Sequence, residues 1–378
     1  MHSRRPSRDR STLDPTNNVP IKSVRAGAYT IPTSSPESDG TLEWDSTTLI
    51  TVNITAGGKE GFGYTYASAA SAKLIDNILQ KSIIGSNAFD TPICYERMCA
   101  TVRNLGRSGV AACAIAAVDN ALWDLKAKLF DQPIIALLGA ARNSVAVYGS
   151  GGFTSYGPKE IRRQIEGWRK QGIEKFKIKI GRNAQQDRQR IEAAIKTLPG
   201  GGKLFVDANG AYHARQAVEM AEIMGANGIT WFEEPVPSAD EEGLRFVREH
   251  APACMDIAAG EYGFELADFH SLLAHETIDV LQVDATRCLG VTGFLKAAAL
   301  SEAYRRPLSS HCAPALHAPL VCHVKQGIHI EYFWDHARIE NLLFEGIPKV
   351  LGGFITPQAE NPGFGVIFKV RDAEQYAL

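Results

Sequence analysis

Short apolar segments alternate with amphipathic helical patterns over the second part of the chain, from about Ser144 onward. The strands that this pattern predicts end near Gly149, Ile180, Asp207, Glu233, Glu261, Asp284, His311 and Glu331. Helical patterns lie between them over residues 158–171, 184–198, 214–224, 241–250 and 290–304. Eight parallel strands with connecting helices predict an α/β fold, a (β/α)8 TIM barrel.

The pattern before Ser144 is different. A strand-like pattern over 23–66 predicts a small antiparallel sheet, and helical periodicity follows over 67–138. The first domain is therefore predicted to be α+β. The predicted divisions are a disordered tail over 1–18, an α+β domain over 19–143, the barrel over 144–343, and a C-terminal segment over 344–378 that folds back on the first domain.

Composition narrows the class of protein and its partners. Of 378 residues, 45% are hydrophobic and 22% charged, as in a globular protein with a large core. A formal net charge of −2 gives no electrostatic reason to expect nucleic acid or acidic membranes as partners. The chain has no apolar run near the ~18 residues of a membrane span. Its seven cysteines are scattered and no secretory signal precedes them, which favours a cytoplasmic protein.

Seven of the eight predicted strand ends carry ionisable residues. They are Lys177 with Lys179, Asp207, Glu233, Glu261, Asp284, His311 and Glu331. Successive ends are separated by roughly 20 to 28 residues, about one βα unit. A single strand-end charge is usually a helix cap or a solvated group. Because a solvated charge has no reason to keep the barrel period, the series predicts one shared site at the mouth of the barrel.

Three of these residues suit a hard divalent cation. Asp207, Glu233 and Glu261 come from consecutive strands, so their carboxylates are expected side by side. Oxygen ligands favour Mg²⁺ over zinc, which prefers His or Cys. A zinc-dependent amidohydrolase barrel would need a His-x-His pair on its first strand, and residues 145–153 contain no histidine.

The remaining charged residues predict acid–base chemistry. Lys177 and Lys179 point to the same face of a strand, and their mutual repulsion is expected to lower both pKa values, so that Lys179 can act as a neutral base. His311 is expected beside Asp284, which would orient the imidazole. Glu331 could donate a hydrogen bond to a substrate carboxylate if it is held protonated. Two bases around a divalent cation suit removal of the proton α to a carboxylate, which leaves an enediolate.

One neighbouring residue is expected to take no part. Cys312 follows His311 in the sequence, and adjacent residues of a strand point to opposite faces. A Cys/His dyad is therefore not expected.

The series Lys-x-Lys, Asp-x-Asn, Glu-Glu-Pro, Gly-Glu, Asp and His-then-Glu resembles the mandelate racemase subgroup of the enolase superfamily across nearly the whole barrel. The resemblance implies an N-terminal capping domain, a barrel of the modified (β/α)7β kind and a symmetric homo-oligomer. By similarity, Mg²⁺ is bound by Asp207, Glu233 and Glu261, while Lys179 and His311 are the acid/base pair. Asp284 then orients His311, and Lys177 and Glu331 assist at the substrate. The muconate cycloisomerase branch differs, because it places a lysine where this chain has Asp284.

The resemblance also indicates where substrate choice is made. In this family it depends largely on capping-domain loops, here the polar stretch 30–45. Its Ser34, Ser35, Glu37, Asp39 and Trp44 either meet substrate hydroxyls or form a mobile lid. Asn209, two residues beyond Asp207, is either a substrate contact or a turn residue.

The leading hypothesis is dehydration of a sugar acid, an aldonate or aldarate, to a 2-keto-3-deoxy acid. Alternatives that use the same residues are a racemase or epimerase of a 2-hydroxy acid and a cycloisomerase of a sugar lactone or anhydro sugar acid. A remote alternative is a non-catalytic barrel that only binds its ligand.

Overall fold

The computed structural model describes residues 18–378, and the predicted disordered tail lies outside these residues except for Asn18. The N-terminal domain begins with an antiparallel sheet of three strands, β1 (Ser23–Ser38), β2 (Glu43–Ala56) and β3 (Lys59–Tyr66). Its two faces belong to different cores. Ile50 and Val52 pack with the domain's own helices, whereas Leu49 and Tyr64 join the hydrophobic core of the barrel. The sheet therefore forms the layer between the two domains.

Helices cover the outer face of this sheet. They are α1 (Ala70–Leu74), a π-helical stretch (Ile75–Leu79), α2 (Gln80–Ile83), α3 (Thr91–Thr101), α4 (Val110–Leu129) and α5 (Ile134–Leu138). The alanine-rich α4 packs closely on β3. The two elements approach so closely that a Cβ added at Gly63 would lie 2.3 Å from the Ala117 carbonyl oxygen, which leaves room only for glycine. Within residues 18–378, no helix has both the length and the apolar character needed to cross a membrane.

The second domain is a closed parallel barrel of eight strands. They are β4 (Val145–Gly151), β5 (Lys175–Lys179), β6 (Lys203–Asp207), β7 (Trp231–Glu233), β8 (Asp256–Ala259), β9 (Val280–Val283), β10 (Leu308–Ser310) and β11 (Gly327–Phe333). Each strand pairs with the next, and β11 pairs with β4 to close the barrel. The predicted TIM barrel with an N-terminal α+β domain is therefore confirmed.

A helix follows every barrel strand. They are α6 (Pro158–Arg169), α7 (Ala184–Thr197), α8 (Ala214–Ala226), α9 (Glu241–His250), α10 (Leu266–Ala274), α11 (Gly290–Ala303), α12 (Pro314–His323) and α13 (Trp334–Leu343). Helix α13 follows the eighth strand, so each of the eight barrel strands in the described residues is followed by a helix.

Strand alternation builds the barrel interior in two layers. Tyr148, Phe205 and Trp231 pack together in a buried aromatic layer. Because side chains two residues apart share a face, the next inward positions on the same strands are Ser150, Asp207 and Glu233. An apolar plug therefore lies beneath a polar layer at the carboxyl ends of the strands.

The C-terminal segment contacts both domains. It contains β12 (Phe344–Glu345), β13 (Val350–Leu351), β14 (Phe354–Ile355), β15 (Ile367–Phe368), α14 (Val370–Ala373) and a 3-10 turn (Glu374–Tyr376). Strand β14 pairs antiparallel with β4 of the barrel, and the Leu378 amide donates to the Ala28 carbonyl of β1 at 3.0 Å. The residue boundaries of the predicted domains stay a prediction.

Candidate active site

Three carboxylates meet where consecutive barrel strands end. Asp207 and Glu233 are the last residues of β6 and β7, and Glu261 lies two residues beyond the end of β8. All three are buried, and one carboxylate oxygen from each lies within 4.8 Å of the other two. The residues predicted to bind Mg²⁺ are therefore close enough to share one cation.

The chemistry of this cluster fits a divalent cation. Glu261 Oε2 is buried and accepts no hydrogen bond from residues 18–378. Burial raises the pKa of Glu233 well above its ordinary value. The positive charge of Lys177 acts to lower this pKa, and the Asp207 carboxylate acts to raise it further. Three crowded acidic groups, one with a free buried oxygen, are the hard ligands that Mg²⁺ prefers. Asp207, Glu233 and Glu261 are therefore a suitable ligand set.

The two lysines of β5 contact this cluster. The Lys177 Nζ donates to Glu233 and lies 2.8 Å from Glu331 Oε1, and the Lys179 Nζ donates to Asp207 Oδ2 at 2.5 Å. Burial is the largest single influence and would lower the pKa of each lysine. The surrounding acidic groups together outweigh it, led by Glu233 at Lys177 and by Asp207 at Lys179, so both pKa values are raised. The expectation of lowered lysine pKa values is therefore wrong here, because it counted the repulsion between the lysines and left out the carboxylates beside them.

On the other side of the cluster, His311 pairs with Asp284. His311 Nδ1 lies 2.8 Å from Asp284 Oδ2, and its Nε2 lies 3.2 Å from Glu261 Oε2. Burial acts to raise the pKa of Asp284, but the hydrogen bond and charge of His311 hold it well below its ordinary value. Asp284 is therefore an ionised partner for the imidazole.

The geometry separates the two candidate bases. Lys179 contacts Asp207 at the end of β6, and His311 contacts Glu261 just after β8. Strand β7, which carries Glu233, lies between β6 and β8. The amine and the imidazole thus approach the metal carboxylates from opposite ends of their arc.

Glu331 differs from its expected state. Its carboxylate accepts hydrogen bonds from Ser150 Oγ at 2.6 Å and from the Cys312 amide at 2.9 Å, besides its contact with Lys177. Burial raises its pKa, but Lys177 and then His311 lower it well below the ordinary value. The expected protonated donor is therefore wrong, because Lys177 keeps Glu331 ionised.

Cys312 also departs from expectation. Strand β10 ends at Ser310, and Cys312 has a left-handed backbone with φ of 52°. Its Sγ consequently turns back to 3.2 Å from His311 Nε2. The prediction that the two side chains face apart is wrong, because strand alternation does not extend into this turn. Burial raises the pKa of the Cys312 thiol, so the thiol is protonated.

The cluster opens into a cavity of about 440 Å³ at the mouth of the barrel. Eight of its polar wall residues were not assigned from the sequence: Ser46, Thr47, Thr48, Tyr66, Ser68, Tyr262, Arg287 and His336. The position of Arg287, three residues beyond Asp284 on the same loop, was a usable signal. No local sequence signal marks Tyr66 as a cavity residue, because it lies in the N-terminal domain and reaches the mouth of the barrel only where the two domains pack together.

Asn209 has the geometry of a turn residue, and its role as a substrate contact stays a prediction. It has a left-handed backbone, with φ of 46°, and its amide donates to Asp207 Oδ1 at 2.9 Å, as a turn residue would. Its side-chain Oδ1 is buried without a hydrogen-bond partner among residues 18–378, and the residue lines the cavity. A substrate hydroxyl could donate to this oxygen.

The polar stretch 30–45 is not an open loop. Most of it belongs to the β1–β2 hairpin, where the Trp44 indole donates to Glu37 at 3.0 Å and Ser35 donates to Tyr156 at 3.0 Å. Of the five residues named for this stretch, Asp39 and Trp44 line the cavity. The hydroxyl of Ser35 and the Oε2 atom of Glu37 are already used within the protein, whereas Glu37 Oε1 is buried without a partner among residues 18–378.

Comparison with known proteins identifies relatives of both domains. Residues 32–139 match the mandelate racemase / muconate lactonizing enzyme N-terminal domain, and residues 160–373 match the enolase C-terminal domain-like family. A mandelate racemase/muconate lactonizing enzyme-like protein from Rubrobacter xylanophilus superposes with a TM-score of 0.93 at 44% identity, covering 95% of this chain and 100% of that one.

Two curated relatives have different activities. L-talarate/galactarate dehydratase of Salmonella typhimurium is 31% identical over 76% of this chain and 72% of its own length. The 3,6-anhydro-alpha-L-galactonate cycloisomerase of Streptomyces coelicolor is 30% identical over 92% of this chain and 96% of its own length.

A solved relative carries the expected metal. A racemase from Streptomyces coelicolor A3(2), with a TM-score of 0.89 and 28% identity over 95% of this chain and 100% of that one, contains bound magnesium. Together with the carboxylate cluster, this makes Mg²⁺ the cofactor.

Proposed function

This chain belongs to the mandelate racemase/muconate lactonizing enzyme family of the enolase superfamily, and from that premise we propose that it dehydrates a sugar acid to a 2-keto-3-deoxy acid. Its relatives are dehydratases, cycloisomerases and epimerases, so the protein is a Mg²⁺-dependent lyase or isomerase. A homo-oligomeric state and a cytoplasmic location stay predictions.

One observation supports the proposal above others. Lys179 and His311 stand at opposite ends of the carboxylate arc, at Asp207 and Glu261. Dehydration needs a base at the α-carbon and an acid at the β-oxygen, on two different atoms of one substrate. Two proton-transfer groups on separate sides of a bound carboxylate meet that need.

In the proposed site, Asp207, Glu233 and Glu261 hold Mg²⁺. When bound, the ion neutralises the charge that develops on the substrate carboxylate as the α-proton leaves. Lys177 is fully buried beneath the mouth and offers a fixed positive charge near the same carboxylate. Asn209 Oδ1 is free to accept from a substrate hydroxyl.

The protein's own groups then move the protons. Lys179 takes the α-proton in its neutral form, so the proton it shares with Asp207 must first be lost to solvent or substrate. His311 gives the proton on Nε2 to the β-hydroxyl, which leaves as water. Asp284, hydrogen-bonded to Nδ1, keeps Nε2 directed at the cavity and stabilises the charged ring.

A cycloisomerase is the second candidate. The anhydro-galactonate cycloisomerase aligns over 92% of this chain, the longer of the two curated matches described. In that reaction the β-oxygen belongs to a ring ether, so the C–O bond opens and no water is released. The same residues serve both outcomes, and the substrate decides between them.

Incubation with Mg²⁺ in D₂O against a panel of sugar acids, anhydro sugar acids and lactones tests the proposal. Proton NMR reports deuterium at the α-carbon, and mass spectrometry reports loss of water. We expect a 2-keto acid with loss of water. A rearranged product of unchanged mass supports the cycloisomerase, and deuterium exchange with no β-elimination contradicts the dehydratase.

A further inference from the structure

Two residues that line the cavity, the half-buried Tyr66 and the buried His336, each have a buried polar atom without a hydrogen-bond partner among residues 18–378. The Tyr66 hydroxyl and the His336 Nδ1 are both solvent-inaccessible and unpaired among residues 18–378, and His336 is only 8% exposed. Their rings stack with centroids 3.5 Å apart. Buried polar groups are nearly always satisfied, so an unpaired pair facing a cavity indicates a missing ligand group.

The barrel topology places this pair away from the metal carboxylates. Tyr66 ends β3 of the N-terminal sheet, and His336 lies in the first turn of α13 directly after β11, the eighth barrel strand. The metal carboxylates belong to the third, fourth and fifth strands. In a closed eight-stranded barrel the eighth strand lies across from the fourth, so the pair faces the far end of a bound acid.

This far wall carries no free positive charge among the described residues. The other polar side chains that the N-terminal domain contributes to the cavity are the hydroxyl groups of Ser46, Thr47, Thr48 and Ser68. It also contributes the Asp39 carboxylate at the hairpin tip, which lies near the ends of β5 and β6. Burial lowers the pKa of His336 to about 3, so the ring is neutral, and burial raises the pKa of Tyr66.

The positive groups that line the cavity are already matched by carboxylates. Lys179 donates to Asp207, and Arg287 Nη1 lies 3.4 Å from Glu261 Oε1. The Nε atom of Arg287 also lies 3.7 Å from Asp284 Oδ2. Neither cation is therefore available to a second anionic group on the substrate.

We propose that Tyr66 and His336 form a distal subsite that binds an uncharged hydroxyl, so that the substrate is a monocarboxylic polyol acid, an aldonate or its anhydro form, rather than an aldarate. The inference rests on the proposed sugar-acid function and narrows its substrate class. A primary hydroxyl can pair with His336 Nδ1 in either tautomer of the ring, because it can both donate and accept, and it can exchange a hydrogen bond with the Tyr66 hydroxyl. A terminal carboxylate would be buried there without a cation to balance its charge, which costs far more than burying a hydroxyl.

The test uses pairs of acids that differ only at the terminal carbon, such as gluconate with glucarate and galactonate with galactarate. For the pair turned over best, kcat/KM of the aldonate should exceed that of the aldarate on the order of 100-fold. Equal or better turnover of the aldarate overturns the subsite while leaving the proposed dehydration intact. No product and no α-deuterium exchange with any acid overturns both.

Binding gives a second readout that does not depend on turnover. In the Mg²⁺-loaded His311→Asn protein, titration calorimetry should give a Kd for the aldonate at least about tenfold below that of its paired aldarate. Equal dissociation constants would contradict the subsite.

Variants assign the effect to residues. Tyr66→Phe keeps the ring stack and deletes one hydroxyl, so KM for the aldonate should rise about tenfold. Tyr212→Phe is the matched control, because Tyr212 also has a buried unpaired hydroxyl but does not line the cavity. His336→Arg adds a cation and should raise relative turnover of the aldarate at least about tenfold. Identical KM values in Tyr66→Phe and Tyr212→Phe overturn the assignment, and circular dichroism verifies that each variant is folded.

Discussion

His311 Nδ1 lies 2.8 Å from Asp284 Oδ2, and Asp284 is itself fixed by the amide and hydroxyl of Thr286, both 2.7 Å from its Oδ1. The imidazole is therefore held from behind by a carboxylate that cannot rotate freely. Its other nitrogen, Nε2, is left facing the mouth of the barrel beside Glu261.

Asp284→Asn should lower kcat for water loss by roughly 10- to 100-fold, because the amide no longer stabilises the charged ring. Exchange of the α-proton should fall less, since Lys179 performs that step. Steady-state product formation and NMR exchange measure the two effects separately. The control is Asp279→Asn, which removes a carboxylate bonded to Arg248 outside the mouth and should leave kcat unchanged. Equal kcat values in the two variants would argue against a role for the His311–Asp284 pair.

Glu233→Gln should weaken Mg²⁺ binding strongly while the fold stays intact. The residue is fully buried, and its two oxygens accept from Lys177 and, at 3.0 Å, from the Trp231 indole. The amide of Gln keeps the acceptor for the indole and loses the one for Lys177, which retains Glu331 at 2.8 Å. A bound ion stabilises the folded state in proportion to its affinity, so Mg²⁺ should raise the melting temperature of the wild type far more than that of the variant. Glu340→Gln, another buried carboxyl outside the cluster, serves as the control. An unchanged Mg²⁺ effect in Glu233→Gln would remove this residue from the proposed ligand set.

Much of the barrel could be predicted from the sequence because seven of its eight strands end at or within two residues of a charged side chain. Asp207 and Glu233 end their strands, and the charged residues between Lys179 and Glu331 recur at about one βα unit. A repeat of this length depends only on local pattern, which a single sequence displays. Gathering these residues at one mouth then follows from barrel closure.

Protonation and turn geometry could not be predicted in the same way. The lysine pKa values depend on which carboxylates stand within a few ångströms, and Lys177 meets Glu233 and Glu331 from strands far away in the sequence. The approach of Cys312 to His311 depends on one backbone angle beyond the strand end. Tyr66 and His336 meet only because two domains pack together.

The β1–β2 hairpin makes a backbone-to-backbone contact that a single methyl group would break. A Cβ at Gly40 would lie 2.3 Å from the Ala208 carbonyl oxygen and 2.7 Å from that of Ile180. Both residues directly follow strand ends of the active site. The hairpin tip therefore lies against Ile180 and Ala208, the residues that directly follow Lys179 and Asp207.

Gly40→Ala should lift the hairpin and lower kcat/KM about tenfold, chiefly through KM, because this hairpin covers part of the mouth. Steady-state kinetics and thermal melting measure the change. Gly167→Ala is the matched control: it lies in α6 with no atom near the added methyl, and it should leave kcat/KM unchanged with a small gain in stability. Equal kcat/KM in both variants would show that the hairpin contact has no effect on the site.

Glu340 should make stability depend on pH in the neutral range. It is fully buried, accepts from the Tyr64 hydroxyl at 2.6 Å and from the Ala315 amide at 3.1 Å, and burial raises its pKa to about 8 from an ordinary 4.5. A raised folded-state pKa means that the folded protein holds a proton that the unfolded chain releases above pH 4.5. The contribution of protonated Glu340 to the free energy of unfolding is thus fully present below pH 4.5 and is lost as the pH rises to about 8.

Urea unfolding from pH 5 to 9 measures this effect, whose slope from one group is at most about 1.4 kcal/mol per pH unit. Glu340→Gln removes the titrating group and should reduce the slope between about pH 5 and 8, where the folded wild type holds a proton that the unfolded chain has released. Glu374→Gln removes an exposed carboxylate and should leave the wild-type slope in place. Asp119, with its pKa raised by burial to about 7, contributes to the slope in both proteins. The assignment to Glu340 therefore fails if the slope in Glu340→Gln equals that of the wild type.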